Sequence, residues 1–313
     1  MLGGNALWRI TDVAIVGCGP AGMTAAIYAA RANMKVLLLD KLAPGGQIVN
    51  TFEIGNYPGM EKVGGADLAI SMFEHTQKLG VAFDYATVEE ILDEGEEKIL
   101  SCKEGQRISC RAVILATGTR PRMLGVPHEL DFAGSGISWC AVCDGANYRD
   151  RDVLVLGGGN SAVEESLYLA ELARRLTVVT LFDLTADPSA CDKLRALPNV
   201  DVHEFYDIKE FLPGEHFTGL RAVSTKTGEE LVVHADGAFE YIGLQPTTEP
   251  FGSLGILNDH GYIQADREMK TARPGIFAAG DAIEKGLRQI VTAESDGAIA
   301  AESAARYVRA LTR

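Results

Sequence analysis

The amino-acid sequence predicts an α/β protein built of two nucleotide-binding domains, with the second domain inserted into the first. Three observations lead to this prediction: an internal repeat, a glycine-rich loop at the same place in each copy, and a C-terminal segment that looks like the completion of the first domain. The chain has 313 residues, which is room for about two domains. Its 47% hydrophobic and 23% charged residues are typical of a globular protein with a sizeable core.

The internal repeat relates residues 11–40 to residues 151–180 at a constant offset of 140, without a gap. Each copy consists of a β-branched apolar run, a glycine turn, an alanine-rich amphipathic helix and a second apolar run, which predicts the strand-helix-strand unit of a Rossmann-like domain. A strand before the glycines and a helix after them is the context that a nucleotide-binding loop requires. The matched pairs are Asp12 with Asp152, Gly17 with Gly157, Gly19 with Gly159, Gly22 with Ala162 and Tyr28 with Tyr168.

In the first copy the glycine loop carries a complete dinucleotide signature. Gly17 allows a tight turn, Gly19 lets the backbone approach a pyrophosphate, and Gly22 permits close helix packing. Asp40 ends the second strand, 23 residues after Gly17, where a carboxylate accepts hydrogen bonds from ribose hydroxyls. We therefore predict a bound dinucleotide in the first domain.

The other segments fit around these two copies. Residues 109–122 predict a buried strand that ends in Ala-Thr-Gly, residues 273–282 predict another that ends in Gly-Asp, and residues 292–311 predict a helix. The chain crosses between domains near the turn-forming stretches "TGTRPR" and "GLQPTTEP". The predicted bounds are 1–119 and 247–313 for the first domain and 120–246 for the inserted one.

Composition excludes several classes of function and location. The net charge of −14 argues against binding to nucleic acids or anionic membranes, which requires clustered Lys and Arg. The apolar stretch at 13–30 is broken by glycines and follows Asp12, so it predicts a strand, turn and helix instead of a signal peptide or membrane span. Of the six cysteines only Cys140 and Cys143 are closely spaced, which is unlike a secreted disulfide framework and favours the cytoplasm.

Cys140 and Cys143 stand at C-x-x-C spacing, which predicts a redox-active dithiol. A pair of this kind lowers the pKa of one thiol, and the thiolate is the species that attacks a disulfide. Half of a zinc site is a weaker reading, because no second C-x-x-C or Cys/His cluster completes four ligands. Two buried structural cysteines are another alternative, although Asp144 and Gly145 suggest an accessible turn. The remaining cysteines are expected to be packing or surface residues: Cys18, Cys102, Cys110 and Cys191.

Together these motifs resemble the low-molecular-weight thioredoxin reductases over nearly the whole chain. The resemblance rests on "GCGPAG", "PGGQI", "NYPG", "ATGTRPR", "CAVCDG", "GGGNSAVEE", "FAAGDA" and "LRQI", in that family's order. It implies the thioredoxin reductase-like fold, a homodimer and FAD in the first domain. The FAD contacts implied position by position are Gly17, Gly19, Pro20, Ala21, Gly22, Asp40, Lys41, Gly46, Gln47, Asn56, Val88 through its backbone, Thr117, Gly118, Gly280, Asp281, Arg288, Gln289 and Ile290.

The resemblance also implies roles around the dithiol. Cys143 would lie nearest the flavin and receive its electrons, and Cys140 would be its partner in disulfide exchange. Asp144 would be the acid that protonates a leaving thiolate. The implied activity is reduction of thioredoxin or a similar protein by a flavin-dependent disulfide reductase, and the cysteine that attacks the protein substrate stays open.

The second glycine loop is followed by a departure from the family. The position that matches the ribose-binding aspartate of the first copy is Thr180. NADPH-dependent relatives have His-Arg-Arg at the positions of residues 180–182, and a further arginine a few residues later. Here Leu181 and Phe182 take the arginine positions, and Asp183 and Asp187 add negative charge. A 2′-phosphate requires cationic partners, and each lost charged hydrogen bond costs about 1.5 to 3 kcal/mol. The sequence therefore predicts weak NADPH binding.

Several electron donors are compatible with this departure. Some relatives without the arginines resemble this chain and take electrons from reduced ferredoxin, which we favour, and others use a deazaflavin. Weak NADPH binding through Arg174 or Arg175 is an alternative, but both residues precede the strand and should lie at its far end. NADH is another, with Asp183 on the ribose hydroxyls.

A ferredoxin partner raises an electrostatic question. Ferredoxins are acidic, so a chain of charge −14 repels them unless a local basic patch outweighs the net negative charge of the chain. Arg120 with Arg122, and Arg149 with Arg151, are candidates for such a patch, and a solvated face is the alternative. Two other classes of function are alternatives. A non-catalytic redox sensor predicts a stable dithiol that does not turn over with thioredoxin, and a flavin oxidase or peroxide-handling enzyme predicts rapid oxygen consumption and a dispensable Cys140.

Overall fold

The structure, a computed structural model, describes residues 8–50, 54–139 and 141–312, with the backbone alone at 8–10, 50, 142 and 143. The strands are β1 (Trp8–Val16), β2 (Val36–Asp40), β3 (Ala82–Tyr85), β4 (Val88–Glu94), β5 (Glu97–Cys102), β6 (Arg107–Leu115), β7 (Thr119–Pro121), β8 (Ile137–Ser138), β9 (Asp152–Leu156), β10 (Arg175–Thr180), β11 (Val200–Glu204), β12 (Tyr206–Phe211), β13 (Gly219–Ser224), β14 (Glu230–His234), β15 (Gly237–Glu240), β16 (Leu244–Pro246) and β17 (Ile276–Ala278). The α-helices are α1 (Pro20–Arg31), α2 (Gly65–Lys78), α3 (Glu129–Phe132), α4 (Ala141–Asp144), α5 (Asn160–Ala170), α6 (Pro188–Arg195) and α7 (Ile290–Leu311).

The chain divides into two compact units. Unit 1 consists of Met1–Arg120 with Pro246–Arg313, and unit 2 consists of Pro121–Gln245. These junctions differ by one residue from the predicted domain bounds. The predicted fold class, two Rossmann-like α/β domains of which one interrupts the other in sequence, is confirmed.

Unit 1 is built on a sheet in which β3, β2, β1 and β6 are parallel neighbours. The far side of β6 has two partners: its first half, up to Cys110, pairs antiparallel with β5, and its second half, from Val113, pairs parallel with β17. The strand order therefore reverses beside β1, and ligands of such sheets bind at the carboxyl end of the strands at this point. Gly17 begins the first glycine loop there.

Small residues bring α7 close to α1 in unit 1. The buried face of α1 is largely alanine, and α7 meets it with Ala293, Gly297 and other small residues. A Cβ added to Gly297 would lie 2.2 Å from the carbonyl oxygen of Ala21. This packing fixes the N-terminal turn of α1, which adjoins the first glycine loop.

Unit 2 repeats the architecture of unit 1. Its parallel sheet has the order β11-β10-β9-β15-β8, and β12, β13 and β14 form a separate antiparallel sheet. The fifth strand, β8, comes from the segment that precedes β9 in sequence. It pairs Ile137 with Ala238 and Ser138 with Phe239 of β15. The start of the dithiol segment is thereby tied to the end of β15.

Two predicted strands are shorter than expected. Residues 109–122 form β6 and the separate strand β7, because Gly118 adopts a φ of +64° between them. In residues 273–282 the strand β17 ends at Ala278, and a 3₁₀ turn follows over Gly280–Ala282. The predicted C-terminal helix is confirmed as α7. Among the described residues no helix is both long enough and apolar enough to cross a membrane.

Candidate functional site

The first glycine loop of unit 1 leaves no space for side chains. Gly17 has a φ of +110°, and an added Cβ would lie 2.2 Å from the carbonyl oxygen of Ala116. A Cβ on Gly22 would lie 1.8 Å from the carbonyl oxygen of Gly17. Gly19 precedes α1, whose first turn contains Pro20 and no acidic side chain. The free backbone N–H groups of this turn therefore face a region suited to an anion such as a pyrophosphate.

Asp40 at the end of β2 holds the loop from the other side. Its Oδ2 accepts a 2.6 Å hydrogen bond from the backbone N–H of Cys18, and its Oδ1 accepts one of 2.9 Å from the N–H of Leu42. Each carboxylate oxygen has a second lone pair, so ribose hydroxyls still find acceptors here. Burial and then the charge of Asp40 raise the pKa of the Cys18 thiol, which is therefore a packing group.

Residues of the "PGGQI" motif pack against the loop. Gly46 approaches so closely that its added Cβ would lie 3.0 Å from the Cα of Gly19. The side-chain amide of Gln47 donates a 2.9 Å hydrogen bond to the carbonyl oxygen of Thr119. Lys41, next to Asp40, is exposed. The structure therefore brings the predicted contacts around the loop into one place.

The buried polar atoms of unit 1 without a hydrogen-bond partner within the described residues include Oγ1 of Thr117, Nε of Arg288 and Oδ1 of Asp281, which lies 3.8 Å from Nζ of Lys285. Burial raises the pKa of Asp281, while the charges of Lys285 and Arg288 oppose that shift. The Arg288 guanidinium lies 4.5 Å from the centre of the Tyr262 ring. Buried polar groups in proteins are almost always hydrogen-bonded. All three belong to the predicted set, so a polar cofactor such as FAD fits these residues.

The start of α7 joins other predicted contacts. The amide of Asn56 donates a 2.8 Å hydrogen bond to Oε1 of Gln289, which precedes the helix. Gln289 also exchanges hydrogen bonds with Thr292 in a capping box, and Ile290 is the first residue of α7. These contacts fix the two segments "NYPG" and "LRQI" against each other.

The remaining predicted contacts lie at strand ends of unit 1. Gly280 has a φ of +75°, and its added Cβ would lie 2.7 Å from the Cβ of Ala21 on α1. Its backbone N–H donates to Asp296 of α7. Gly118 follows β6, and its carbonyl oxygen accepts from the N–H of Thr247. Val88 is buried at the start of β4.

The dithiol segment lies in unit 2, between β8 and β9. Cys140 lies outside the described residues, and Cys143 is described by its backbone in α4. Asp144, the predicted acid, is half-buried, and its Oδ2 accepts a 2.5 Å hydrogen bond from the hydroxyl of Ser138. The carboxylate of Asp144 is therefore held beside the end of β8.

The end of β15 contributes two residues that the sequence analysis missed. Trp139 donates a 2.9 Å hydrogen bond from its indole Nε1 to Oε2 of Glu240. The backbone N–H of Ala141 donates one of 2.8 Å to the hydroxyl of Tyr241. Both contacts flank position 140.

A weak signal for these two residues exists in the sequence. The strand β6 ends in "LATG", and β15 ends in "EYIG"; both glycines, Gly118 and Gly243, have positive φ. In each unit the carbonyl oxygen two residues before that glycine lies against the first glycine of the nucleotide loop. Comparing the ends of these strands would have placed Tyr241 beside the second loop.

The second glycine loop has the shape of the first. Gly157 has a φ of +127°, and an added Cβ would lie 2.2 Å from the carbonyl oxygen of Tyr241. Gly159 precedes α5, and Ala162 is buried in its first turn. At the position that matches Asp40, the hydroxyl of Thr180 is buried beside the loop. The second loop therefore has the shape that a dinucleotide pyrophosphate requires, but it lacks the ribose-binding carboxylate.

The segment after β10 presents apolar side chains to solvent. Leu181 is 43% exposed and Phe182 is 64% exposed, at the two positions that the family resemblance matches with arginines. Asp183 is also exposed. Asp187 differs from expectation, because its carboxylate caps α6 by accepting from the N–H groups of Ser189 and Ala190. Both carboxylates keep their negative charge, and that of Asp187 also caps the N-terminus of α6.

Two arginines proposed as substitutes lie at the opposite end of β10. Arg174 and Arg175 stand where the strand begins, whereas the loop faces its last residues. Arg174 forms an ion pair with Asp152 at 2.9 Å, and Arg175 forms one with Asp201 at 2.6 Å. The expectation that these arginines lie away from the phosphate end is confirmed.

The predicted basic patches are partly neutralised. Arg120 forms an ion pair with Glu249 in unit 1. In unit 2, Nη1 of Arg151 lies 4.0 Å from Oδ1 of Asp236. Surface pairs of this kind contribute little stability, but they reduce the positive charge available to an acidic partner.

Comparison with known proteins places the chain among flavin-linked reductases. Residues 11–297 match the family described as "Pyridine nucleotide-disulphide oxidoreductase". The thioredoxin reductase of Bacillus subtilis is 44% identical, over 97% of this chain and 96% of that protein. The crystal structure of Lactococcus lactis thioredoxin reductase is 40% identical with a TM-score of 0.91, covering 96% of this chain and 99% of that one. A ferredoxin-flavin thioredoxin reductase from Clostridium acetobutylicum is 26% identical with a TM-score of 0.54, covering 98% of this chain and 100% of that one.

Proposed function

Because this chain belongs to the thioredoxin reductase family of the pyridine nucleotide-disulphide oxidoreductases, we propose that it reduces the disulfide of thioredoxin or a similar protein through Cys140 and Cys143. The observation that carries the proposal is the C-x-x-C pair placed between β8 and β9, with Asp144 held by Ser138 beside it. Protein disulfides are reduced by exchange with a thiolate, and Cys140 and Cys143 are the two cysteines of the chain at C-x-x-C spacing.

The protein is a flavoprotein oxidoreductase, and its cofactor is FAD. In the proposed site Gly17 to Gly22 and the N-terminus of α1 hold the pyrophosphate, and Asp40 holds the ribose. Thr117, Asp281 and Arg288 supply polar atoms that FAD would satisfy. When bound, FAD relays electrons between the donor and the dithiol.

The proposed chemistry is balanced at the two cysteines. The Cys140–Cys143 disulfide gains two electrons and two protons and becomes a dithiol. One thiolate then attacks the disulfide of the protein substrate, and the second thiol resolves the mixed disulfide, which restores the internal bond and releases reduced substrate. Asp144 supplies the proton to a leaving thiolate.

For the electron donor we propose reduced ferredoxin in place of NADPH. Support comes from the second nucleotide loop, where Thr180 replaces the ribose-binding carboxylate and Leu181 and Phe182 occupy the arginine positions. The similarity to the ferredoxin-flavin enzyme is a second, weaker support. A ferredoxin transfers single electrons, so the flavin would accept two in succession. Reduced deazaflavin is a donor of the same nucleotide-independent class.

A pyridine nucleotide is the alternative donor, and one observation favours it. The loop Gly157–Gly159 keeps the shape that a dinucleotide pyrophosphate requires. The description of the matched family also names a pyridine nucleotide. NADH suits the site better than NADPH, because it has no 2′-phosphate and exposed Asp183 is free of the α6 cap.

Replacing Cys140 tests the proposed activity independently of the donor. The holoenzyme is reduced anaerobically with dithionite, excess reductant is removed, and oxidised thioredoxin is added. We expect wild type to yield reduced thioredoxin and Cys140→Ser to yield none, with Cys191→Ser as an active control, because Cys191 is a buried residue of α6. Equal, non-zero yields from wild type and Cys140→Ser would reject the route through Cys140 and Cys143, and no yield from wild type would reject disulfide reduction and favour a redox sensor or a flavin oxidase.

We further propose that the enzyme is a cytoplasmic homodimer. Cys18, Cys102, Cys110 and Cys191 are all buried and free, which suits a reducing compartment. The homodimer rests on the family resemblance. Sedimentation equilibrium of the holoenzyme tests it, with about twice the mass of the 33.5 kDa chain expected.

A further inference from the structure

Two consecutive residues at the carboxyl end of β15 hold the two sides of position 140. Glu240 contacts the side chain of Trp139, and Tyr241 contacts the backbone of Ala141. All four residues belong to unit 2. Neither Glu240 nor Tyr241 takes part in the chemistry proposed above.

Glu240 is an unusual residue for this place, since its side chain is only 2% exposed. Oε2 accepts from the Trp139 indole, whereas Oε1 is buried and has no donor among the described residues. Glu129 of α3 faces it and accepts 2.6 Å hydrogen bonds from the N–H groups of Leu124 and Gly125, one on each oxygen, so each oxygen keeps a second lone pair. Protonation of Glu240 removes the repulsion between the two facing carboxylates, because its O–H then donates a hydrogen bond to the Glu129 carboxylate.

The pKa of Glu240 agrees with this arrangement. Burial, and then the charge and hydrogen bonding of Glu129, raise the pKa of the Glu240 carboxyl to about 8, while the Trp139 indole lowers it. The carboxyl is therefore mostly neutral at pH 7. Removal of the acceptor would leave the Trp139 N–H without this partner.

Tyr241 links the dithiol segment to the second glycine loop. Its hydroxyl accepts the 2.8 Å hydrogen bond from the N–H of Ala141, and its carbonyl oxygen lies against Gly157. Burial, followed by the charge of Glu165, raises the pKa of Tyr241, so the hydroxyl stays protonated. The residue therefore joins α4 to the rigid end of the central sheet.

We propose that Glu240 and Tyr241 are positioning residues that anchor both flanks of Cys140 and thereby stabilise the Cys140–Cys143 disulfide over the dithiol. This inference rests on the proposed function of the two cysteines. A disulfide forms only when the two Cα atoms stand about 4.4 to 6.8 Å apart. Anchors on residues 139 and 141 restrict the chain on both sides of Cys140 and so lower the conformational entropy that is lost when the disulfide closes, whereas a freer segment favours two separate thiols.

The redox equilibrium of the pair measures this effect directly. In glutathione buffers the dithiol loses two electrons and two protons to one glutathione disulfide, which becomes two molecules of glutathione. The holoenzyme is equilibrated anaerobically, thiols are trapped by alkylation, and the peptide that contains Cys140 and Cys143 is quantified by mass spectrometry. The readout distinguishes a positioning role from a purely structural one, since loss of fold alone is followed separately by thermal unfolding.

The variants are chosen to remove one hydrogen bond at a time. Glu240→Leu removes the acceptor for Trp139, Tyr241→Phe removes the acceptor for Ala141, and Glu240→Gln keeps a neutral acceptor for the indole. We expect Glu240→Leu and Tyr241→Phe to shift the equilibrium toward the dithiol by about threefold or more, as the loss of one hydrogen bond predicts. Glu240→Gln and the control Tyr206→Phe, on β12 of the same unit, should stay within about twofold of wild type.

An unchanged equilibrium in folded Tyr241→Phe and Glu240→Leu overturns the proposal. If Glu240→Leu fails to fold, Tyr241→Phe decides, because it removes one hydroxyl alone. Failure of the proposed function is a different result: wild-type enzyme then forms no Cys140–Cys143 disulfide in these buffers or yields no reduced thioredoxin. An equal shift in Tyr206→Phe also counts against the proposal, since it would reflect a general loss of rigidity.

Discussion

The carboxylate of Asp40 accepts a 2.6 Å hydrogen bond from the backbone N–H of Cys18, inside the first glycine loop. At the matching place in the second unit the buried hydroxyl of Thr180 lies beside the loop, 2.8 Å from where a Cβ on Gly158 would stand. A carboxylate accepts hydrogen bonds from several donors at once, whereas a hydroxyl in this space has far less capacity. The two loops share a shape and differ in the group that selects the ligand.

Removing the carboxylate of Asp40 should weaken FAD binding. In Asp40→Ala we expect FAD affinity to fall about tenfold to a hundredfold, because hydrogen bonds to a charged group contribute about 1.5 to 3 kcal/mol. The measurement is fluorescence titration of apoenzyme with FAD. Asp12→Ala is the matched control, since Asp12, in the middle of β1, also accepts a backbone N–H, from Lys35 at 2.8 Å. Equal losses in both variants would contradict the ribose role of Asp40.

Restoring arginines after β10 should create NADPH affinity. Leu181 and Phe182 are both exposed, so Leu181→Arg with Phe182→Arg is expected to fold normally. Two charged hydrogen bonds to a 2′-phosphate should tighten NADPH binding about tenfold or more and leave NADH binding unchanged. Calorimetric titration of the holoenzyme with each nucleotide measures both affinities. The control Leu130→Arg with Val232→Arg adds the same two charges at exposed positions of unit 2, and a similar gain there would indicate nonspecific attraction.

The buried carboxyl of Glu240 should make stability depend on pH. Its pKa in the folded protein, raised by burial and by Glu129 from an ordinary 4.5 to about 8, exceeds its value in the unfolded chain. The folded state therefore holds the proton more tightly, and this contribution to the free energy of unfolding is complete below pH 4.5. It is lost as pH rises through about 8, with a slope approaching about 1.4 kcal/mol per pH unit.

Urea unfolding of wild type and Glu240→Gln at several values between pH 5 and pH 8 measures this contribution. We expect the difference between wild type and variant to shift in favour of Glu240→Gln as the pH rises, because Gln has no proton to lose. Parallel pH profiles would show that Glu240 ionises normally in the folded state.

The close contact of α7 with α1 should be intolerant of a single methyl group. In Gly297→Ala the new Cβ meets the carbonyl oxygen of Ala21 at 2.2 Å, so α7 must move and disturb the first turn of α1. We expect a loss of about 1 to 3 kcal/mol in the free energy of unfolding, together with weaker FAD retention. Gly286→Ala is the control, because its Cβ would have no neighbour within 4 Å. Wild-type stability in Gly297→Ala would contradict the packing account.

The sequence was sufficient for the parts of the fold that repeat. The offset between Gly17 and Gly157 predicted both strand-helix-strand units, and the Asp40-to-Thr180 change predicted the difference between the two loops. The cofactor residues from distant segments came from the family resemblance, since nothing in local sequence relates Asn56 to Gln289.

Other features depend on contacts between segments that carry no periodic pattern. The two-residue strand β8 is too short to show alternation, and its pairing with β15 joins positions 101 residues apart. The stretch "FEYIG" does not reveal that Glu240 is buried, because the sequence does not show that Trp139 and Glu129 lie beside it. The sequence shows the negative charge of Asp187 but not that its carboxylate caps α6.

Anaerobic reduction of the flavin tests the central claim most directly. The visible absorbance of the oxidised holoenzyme is followed after addition of NADPH, NADH, reduced ferredoxin or reduced deazaflavin, each at the same micromolar concentration. Because Thr180, Leu181 and Phe182 leave a 2′-phosphate without a cationic partner, we expect rapid bleaching by reduced ferredoxin and little change with NADPH. Rapid bleaching by micromolar NADPH, with none by reduced ferredoxin, would contradict the account of the second nucleotide loop.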